Sequence, residues 1–197
     1  MRILLFTDTH SSKSHIEAVK KKALNADLVI CLGDFTMFQA YMKSFLREIN
    51  SMGKTVLMIP GNHESEDELK DACKGLKNIF YIHKNHYEMD GLLFLGYGTG
   101  GFAYEDLVFE NIAKKWEKMI KGRDKVILLT HQPPYNTLID VVGKNHAGNM
   151  SFRRFIDKYK PVLAASGHLH ENFYKTQKIG KTIVLNPGPS GRIVIIK

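Results

Sequence analysis

Lys54-Thr55-Val56-Leu57-Met58-Ile59-Pro60-Gly61-Asn62-His63-Glu64 sets a short apolar run directly before a breaker and a polar group of residues. Val56 to Ile59, bounded by proline and glycine, has the length of a buried strand. Gly61 permits a turn that other residues would strain to make, so Asn62 and His63 are presented at the strand's carboxyl end. An amide and an imidazole there need partners. The chain offers them in four other places, each just behind an apolar run: Asp8 and His10, Asp34, His131, and the pair His168 and His170.

Outward from this stretch, residues 2–7 read as a strand and 14–24 as a helix, with Ser14 as its cap and Glu17 three residues on. Residues 27–32 read as a second strand, 39–51 as an amphipathic helix closing at Gly53, 54–59 as the third strand and 64–73 as an acidic-led helix. Such alternation implies parallel strands joined by right-handed crossovers. The middle of the chain changes character. Residues 79–82, 87–89 and 92–97 are short apolar or aromatic runs with Asp90-Gly91 between the last two, a hairpin signal, so antiparallel pairing is expected to begin here. A helix over 106–121, a buried strand over 125–130, a helix over 149–159 and a strand over 162–165 follow. Antiparallel strands over 171–177, 182–185 and 192–196 are expected to finish the chain. With no repeat, low-complexity tract or linker, one domain over residues 1–197 is expected.

Composition sets the class. The 197 residues are 44% hydrophobic and 24% charged, ordinary for a globular protein. The apolar runs are far too short to span a bilayer, and the amino terminus carries no cleavage pattern, so a cytoplasmic location and no membrane partner are expected. Cys31 and Cys73 form no Cys-x-x-Cys pair, which argues against a disulfide framework or a thiolate zinc site. A net charge of +8 favours anionic partners. The lysines are nevertheless scattered over helix faces, without aromatic-interleaved basic stretches, so a small phosphate ester is favoured over nucleic acid.

Taken singly, the polar positions are ambiguous: Asp8-Thr9-His10 also reads as a capping loop, Gly33-Asp34 as a turn, and His131 as a loop residue held by Pro133 and Pro134. Gly167-His168-Leu169-His170 says more, because alternation along an extended backbone puts both imidazoles on one side. Together the positions carry a stronger implication. Parallel strands deliver their carboxyl ends to a common edge where ligands bind, and five successive ends carry Asp, Asn or His. Two carboxylates, one amide and four imidazoles suit Mn, Fe, Zn, Co or Ni better than Ca or Mg. Seven donors are too many for one ion and suffice for two if one carboxylate bridges. Two ions about 3.5–4 Å apart can hold a hydroxide and clamp both oxygens of an in-line displacement.

In their order, Asp8-x-His10, Gly33-Asp34, Gly61-Asn62-His63-Glu64, Thr130-His131 and Gly167-His168-x-His170 resemble the five blocks of the calcineurin-like metallophosphoesterases. The resemblance implies a four-layer α-β-β-α sandwich, two mixed β-sheets face to face with helices outside. It implies that Asp8, His10 and His170 hold one divalent transition-metal ion, manganese first among the candidates, and that Asn62, His131 and His168 hold a second, with Asp34 bridging. His63 matches the family's catalytic histidine, which contacts the phosphate and protonates the leaving oxygen. Its other reading is a group that orients Asp34.

Departures from relatives narrow the expectation. Protein phosphatases of the superfamily carry Asp-Arg shortly after the bridging aspartate, where this chain has Phe35-Thr36-Met37-Phe38; lipid-processing relatives replace the histidine of the Gly-Asn-His block with arginine. What remains resembles small single-domain phosphodiesterases, in which Asn186-Pro187-Gly188 has counterparts. The expected activity is phosphodiester hydrolysis, with monoesters as a further class. The alternatives are a nuclease or cyclic-nucleotide phosphodiesterase, prompted by the basic charge, although a repair nuclease would be expected to add a DNA-binding cap beyond the catalytic core, and a non-catalytic scaffold, which the filled ligand positions and His63 disfavour. Oligomeric state stays open, a homo-oligomer included. Gly96-x-Gly98-x-x-Gly101 matches a dinucleotide fingerprint, but lies in the hairpin half and reads as a flexible loop near the pocket. His15, His83 and His86 read as surface residues, and His146 as a loop residue. Phe35, Phe38, Phe102, Tyr104 and Tyr135 offer themselves as an apolar wall, with core packing as their competing use.

Overall fold

Along β1 (Arg2–Phe6) every side chain after the first is buried. Successive residues of a strand face opposite ways, so such a strand needs an apolar layer on each side. Ile3 and Leu5 enter one cluster, Leu4 and Phe6 another, and β2 (Leu28–Cys31) and β3 (Val56–Met58) divide in the same manner. The computed structural model, which describes residues 1–197, supplies both layers. On the outer face lie α1 (Lys13–Ala23), α2 (Met42–Asn50) and α3 (Glu66–Cys73), whose Ile16, Val19, Phe45, Ile49 and Leu69 complete the cluster of Leu4 and Phe6. The inner face meets a second sheet.

That first sheet also holds β4 (Ile79–Tyr81) and β13 (Arg192–Ile195), in the order β13-β1-β2-β3-β4. The second comprises β5 (Asn85–Met89), β6 (Leu92–Tyr97), β7 (Val126–Thr130), β10 (Leu163–Ala165), β11 (Thr176–Ile179) and β12 (Thr182–Leu185), in the order β11-β12-β10-β7-β6-β5. Phe94, Ile127, Leu129, Leu163 and Leu185 meet Ile3, Leu5, Leu28, Ile30 and Leu57 between the sheets. Each such side chain fully buried contributes about 1.5–3 kcal/mol. The far face of the second sheet is covered by α4 (Leu107–Ile120) and α5 (Met150–Tyr159), through Phe109, Trp116, Phe152 and Phe155. The four-layer sandwich of mixed sheets expected from the sequence is thus observed. A short hairpin, β8 (Val141–Val142) with β9 (Asn145–His146), lies outside both sheets and was not signalled by the sequence.

Several local expectations are corrected. Antiparallel pairing does not start at residue 79: β4 runs parallel to β3, with Val56 opposite Ile79, and the first antiparallel pair is β5–β6 around Asp90-Gly91. The cap of α1 is Ser12, not Ser14, and Glu17 pairs with Lys20 instead of closing a capping box. The helix expected from residue 39 begins at Met42, because Phe38, Gln39 and Tyr41 are all left-handed. The segment expected as a strand from 171 opens as a tight turn over His170–Asn172, and β12 is parallel to β10 while antiparallel to β11. His83 is buried, not superficial. No helix is long and apolar enough to cross a membrane.

Candidate metal centre

In the first sheet β1, β2 and β3 are adjacent and parallel; in the second, β7 and β10 are adjacent and parallel. Their carboxyl ends carry Asp8, Asp34, Asn62, His131 and His168 to the seam where the two sheets face each other. Backbone contacts weld that seam. The backbone N–H of His168 donates to both Asp8 carboxylate oxygens (3.2 and 3.0 Å), and His131 Nδ1 donates to the Leu32 carbonyl (2.8 Å). Two glycines make the approach feasible: a Cβ at Gly61 would land on the Asp34 carboxylate, and one at Gly167 on Thr7 Oγ1 and the Asp8 carboxylate. Sharp turns are needed as well, and Asp8, His10, Asp34 and His168 all have positive φ, between 43° and 70°. Left-handed non-glycine residues gathered this way are typical of functional sites, where the surrounding structure sustains the strain.

Three overlapping donor groups result, each with donor atoms within 4.8 Å of one another: Asp8, His10 and His170; Asp34, His131 and His168; and His10, Asp34 and His63. His10 Nε2 and His170 Nε2 face each other at 3.0 Å. Asn62 Oδ1 lies 3.1 Å from His131 Nε2 and 2.9 Å from His168 Nδ1, and Asp34 Oδ2 lies 3.3 Å from His131 Nε2. His168 Nε2 is buried without a partner in the chain. Two nitrogens each roughly 2.1 Å from one ion lie about 3.0–3.4 Å apart, so the imidazole spacing and the lone pairs turned on one another fit shared cations better than hydrogen bonds alone. His168 and His170 do not reach this place by strand alternation as expected. His168 is left-handed and His170 opens a turn, so the backbone bends between them.

In the protein alone, protons meet part of this demand for positive charge. Burial drives the Asp34 carboxyl upward, but the charge and hydrogen bond of His131 outweigh it and hold it at about 2. Burial likewise pulls His131 down, and Asp34 overrides it to bring the imidazole to about 9. His168 is held at about 4 by burial, reinforced by the neighbouring charge of His131. His10 is lowered by burial, while His170 is raised by its hydrogen bond to Asp8. Buried anions and alternately charged imidazoles make up a centre for which cations and protons compete.

His63 sits beside this set. Its backbone N–H donates to Asp34 Oδ1 (2.8 Å), and its Nδ1 accepts from the Phe38 backbone N–H (3.3 Å). That bond assigns the ring proton to Nε2, which lies 3.9 Å from Asp34 Oδ2.

Sequence reasoning missed the residues that hold the donors in place. Glu64 is buried and accepts from the backbone N–H groups of Gly61, Asp34 and Thr36 and from Thr36 Oγ1, at 2.7–2.9 Å. Its carboxyl is raised by burial, with the Asp34 charge adding to the effect. Asn186 donates weakly to the Gly167 and Leu169 carbonyls (3.5 and 3.4 Å) and accepts from Gly188 N–H, supporting the His168 loop. The fingerprint-like glycines form a loop that is anchored rather than free, with Gly98 against Pro60 and Thr99 N–H bonded to the Pro60 carbonyl (2.8 Å). His146 Nδ1 donates to buried Asp140 (2.7 Å), which also accepts from three backbone N–H groups of the 132–149 loop. Of the aromatic wall, Phe35 belongs to the core, whereas Phe38, Phe102 and Tyr104 are exposed. A cavity of about 700 Å³ between α2 and α3 is walled by Gln39, Lys43, Arg47, Glu68 and Asp71 and contains none of the donors, so chemistry and not volume locates the site.

A seam of two mixed sheets carrying Asp, His and Asn at successive strand ends is the architecture of a metal-dependent phosphoesterase. Residues 1–172 match the family model of the calcineurin-like phosphoesterases, and the chain belongs to that family. It is 30% identical over 205 residues to an uncharacterized protein of Methanocaldococcus jannaschii, covering 98% of this chain and 91% of that one. It is 28% identical over 195 residues to the probable glycerophosphodiester phosphodiesterase GpdQ of Arcobacter nitrofigilis, covering 92% of this chain and 68% of that one. Among solved structures, TT1561 of Thermus thermophilus superposes with a TM-score of 0.77 at 19% identity, covering 95% of this chain and 88% of that one, which speaks to the fold.

Proposed function

We propose that this protein hydrolyses phosphodiester bonds, with phosphomonoesters as a further class, using two divalent transition-metal ions of which manganese is the first candidate. The convergence of six oxygen and nitrogen donors on the two sides of a seventh, Asp34, carries this reading. Asp8, His10 and His170 would hold one ion, and Asn62, His131 and His168 the other, with Asp34 between them. Such a pair supplies charge against the phosphoryl oxygens and lowers the pKa of water at the site.

The chain's own groups do the rest. Leu32 fixes the His131 tautomer, leaving Nε2 free to ligate. His63, with its proton on Nε2, is placed to protonate the departing alkoxide oxygen. Preference for diesters is supported by the similarity to the probable glycerophosphodiester phosphodiesterase and by Phe35-Thr36-Met37-Phe38 standing where protein phosphatases carry an arginine. The scattered lysines favour a small ester over nucleic acid, and the reading is completed by a single domain over 1–197 that acts in the cytoplasm without a membrane partner.

A plate of phosphate mono- and diesters assayed with several divalent metals tests this. Chelation is expected to abolish turnover and manganese or a neighbouring metal to restore it. Asp34→Asn and His63→Ala should each lose about 100-fold or more in kcat, with far-UV circular dichroism unchanged. Full activity in either variant would overturn the assigned roles.

A further inference from the structure

Three of the site's histidines carry a phenylalanine. Phe38 lies against His63 (ring centroids 4.3 Å apart), Phe102 against His168 (4.9 Å) and Phe173 on His170 (4.9 Å). Phe173 is half-buried and fixes its neighbour. The other two are unlike it: Phe38 is 75% exposed and Phe102 70%. They are the two most exposed phenylalanines in the chain, and both stand against histidines of one polar centre, where apolar surface marks a place for a ligand. Phe38 is moreover held left-handed, at φ 46°, by a loop whose N–H bonds to His63, so its ring is placed at a conformational cost. Beyond Phe102 the surface continues through Tyr104, which is 53% exposed and packs edge-on against Tyr135.

We infer that Phe38 and Phe102 form a subsite that grips a planar aromatic group esterified to the phosphate, as in a nucleoside ester. This rests on the phosphoesterase reading and specifies its substrate class. Both rings adjoin side chains that would touch the phosphate or its ions, so whatever they contact is attached to the phosphorus within a few bonds. A flat uncharged ring suits phenylalanine faces, since base–aromatic stacking tolerates any ring and needs no hydrogen-bond code. A quaternary ammonium group would also lie against aromatic faces, but it is bound best by tryptophan and tyrosine. The net charge of +8 repels such a cation. An alkyl group such as glycerol offers no face to stack.

The manganese-loaded protein is titrated calorimetrically with inorganic phosphate, glycerol 3-phosphate, phosphocholine and adenosine 5′-monophosphate, in the native form and as Phe38→Leu, Phe102→Leu and the double variant. The nucleotide is expected to bind at least about tenfold more tightly than glycerol 3-phosphate, and each leucine variant to cut that ratio about fivefold or more, with Phe38→Tyr and Phe102→Tyr restoring it. Leucine keeps apolar bulk but removes the ring face, and both positions are exposed, so melting temperatures should be unchanged. A native ratio near one, an unaltered ratio in the leucine variants, or tighter binding of phosphocholine than of the nucleotide would each overturn the subsite. If inorganic phosphate itself does not bind, the phosphoesterase reading falls first and takes the subsite with it.

Discussion

Glu64 shows how much of the centre depends on a residue that would ligate nothing. Its carboxylate accepts four hydrogen bonds from the loops bearing Asp34 and Asn62, three of them from backbone N–H groups. Leaving a buried donor unpaired costs about 1–3 kcal/mol. Glu64→Ala should therefore destabilise the fold by about 3–5 kcal/mol in urea titrations, and equilibrium dialysis should find weaker metal binding although every proposed ligand remains. Retention of both would show that the loops hold themselves. The donors were legible in the sequence because each advertises its chemistry and stands behind an apolar run. Glu64 was visible only as the last letter of a motif, since its partners are backbone groups that no residue code reveals. His83 was misjudged for a similar reason: Gly98 N–H and Glu66, which enclose it, are brought there by the fold.

At the scale of elements, apolar runs identified most strands, and Asp90-Gly91 marked its hairpin correctly, with both residues left-handed. Strand direction was harder, because periodicity is the same for parallel and antiparallel neighbours. The link from β3 to β4 passes through α3, and that crossover makes β4 parallel although its sequence resembles that of the hairpin strands. Where an element ends depends on close approach as well. The turn after β10 reaches Asp8 only because Gly167 has no side chain. Gly167→Ala should force Thr7 and Asp8 apart from the His168 loop at about 1–3 kcal/mol, the range for overpacking a tight interior. Because this contact joins Asp8, proposed for one ion, to the His168 loop, proposed for the other, metal analysis of this variant is expected to give fewer than the two equivalents of the native protein. Two retained equivalents would mean that the seam opens without cost to Asp8.

Over the whole molecule, two sheets are joined along one edge by groups whose charge state decides how well they fit. In the protein without metal, His131 has its folded value raised to about 9, so its stabilisation is complete below about 6.5 and is lost as pH rises through 9. His83 and His168 are held at about 4, so their contribution is lost as pH falls from about 6.5 toward 4, where the unfolded chain takes up protons first. Raised Glu64 acts the other way on that acid side, and Asp34, held at about 2, loses its contribution only below this window. Stability without metal should therefore peak near neutrality, with the alkaline limb of one histidine worth about 3 kcal/mol and the acid limb of two histidines up to about twice that before Glu64 offsets part of it. Bound cations require neutral imidazoles and replace the charge that His131 otherwise supplies, so metal should flatten the alkaline limb and be expelled on the acid one. At a thousandfold excess over Kd each ion adds about 4 kcal/mol, or about 8–16 °C in a chain of this size. Thermal melts with manganese and with chelator should thus differ most between pH 7 and 9 and converge toward pH 4. A gap that is absent, or constant across that range, would mean that the seam is closed by packing alone and that the donor cluster does not couple metal to the fold.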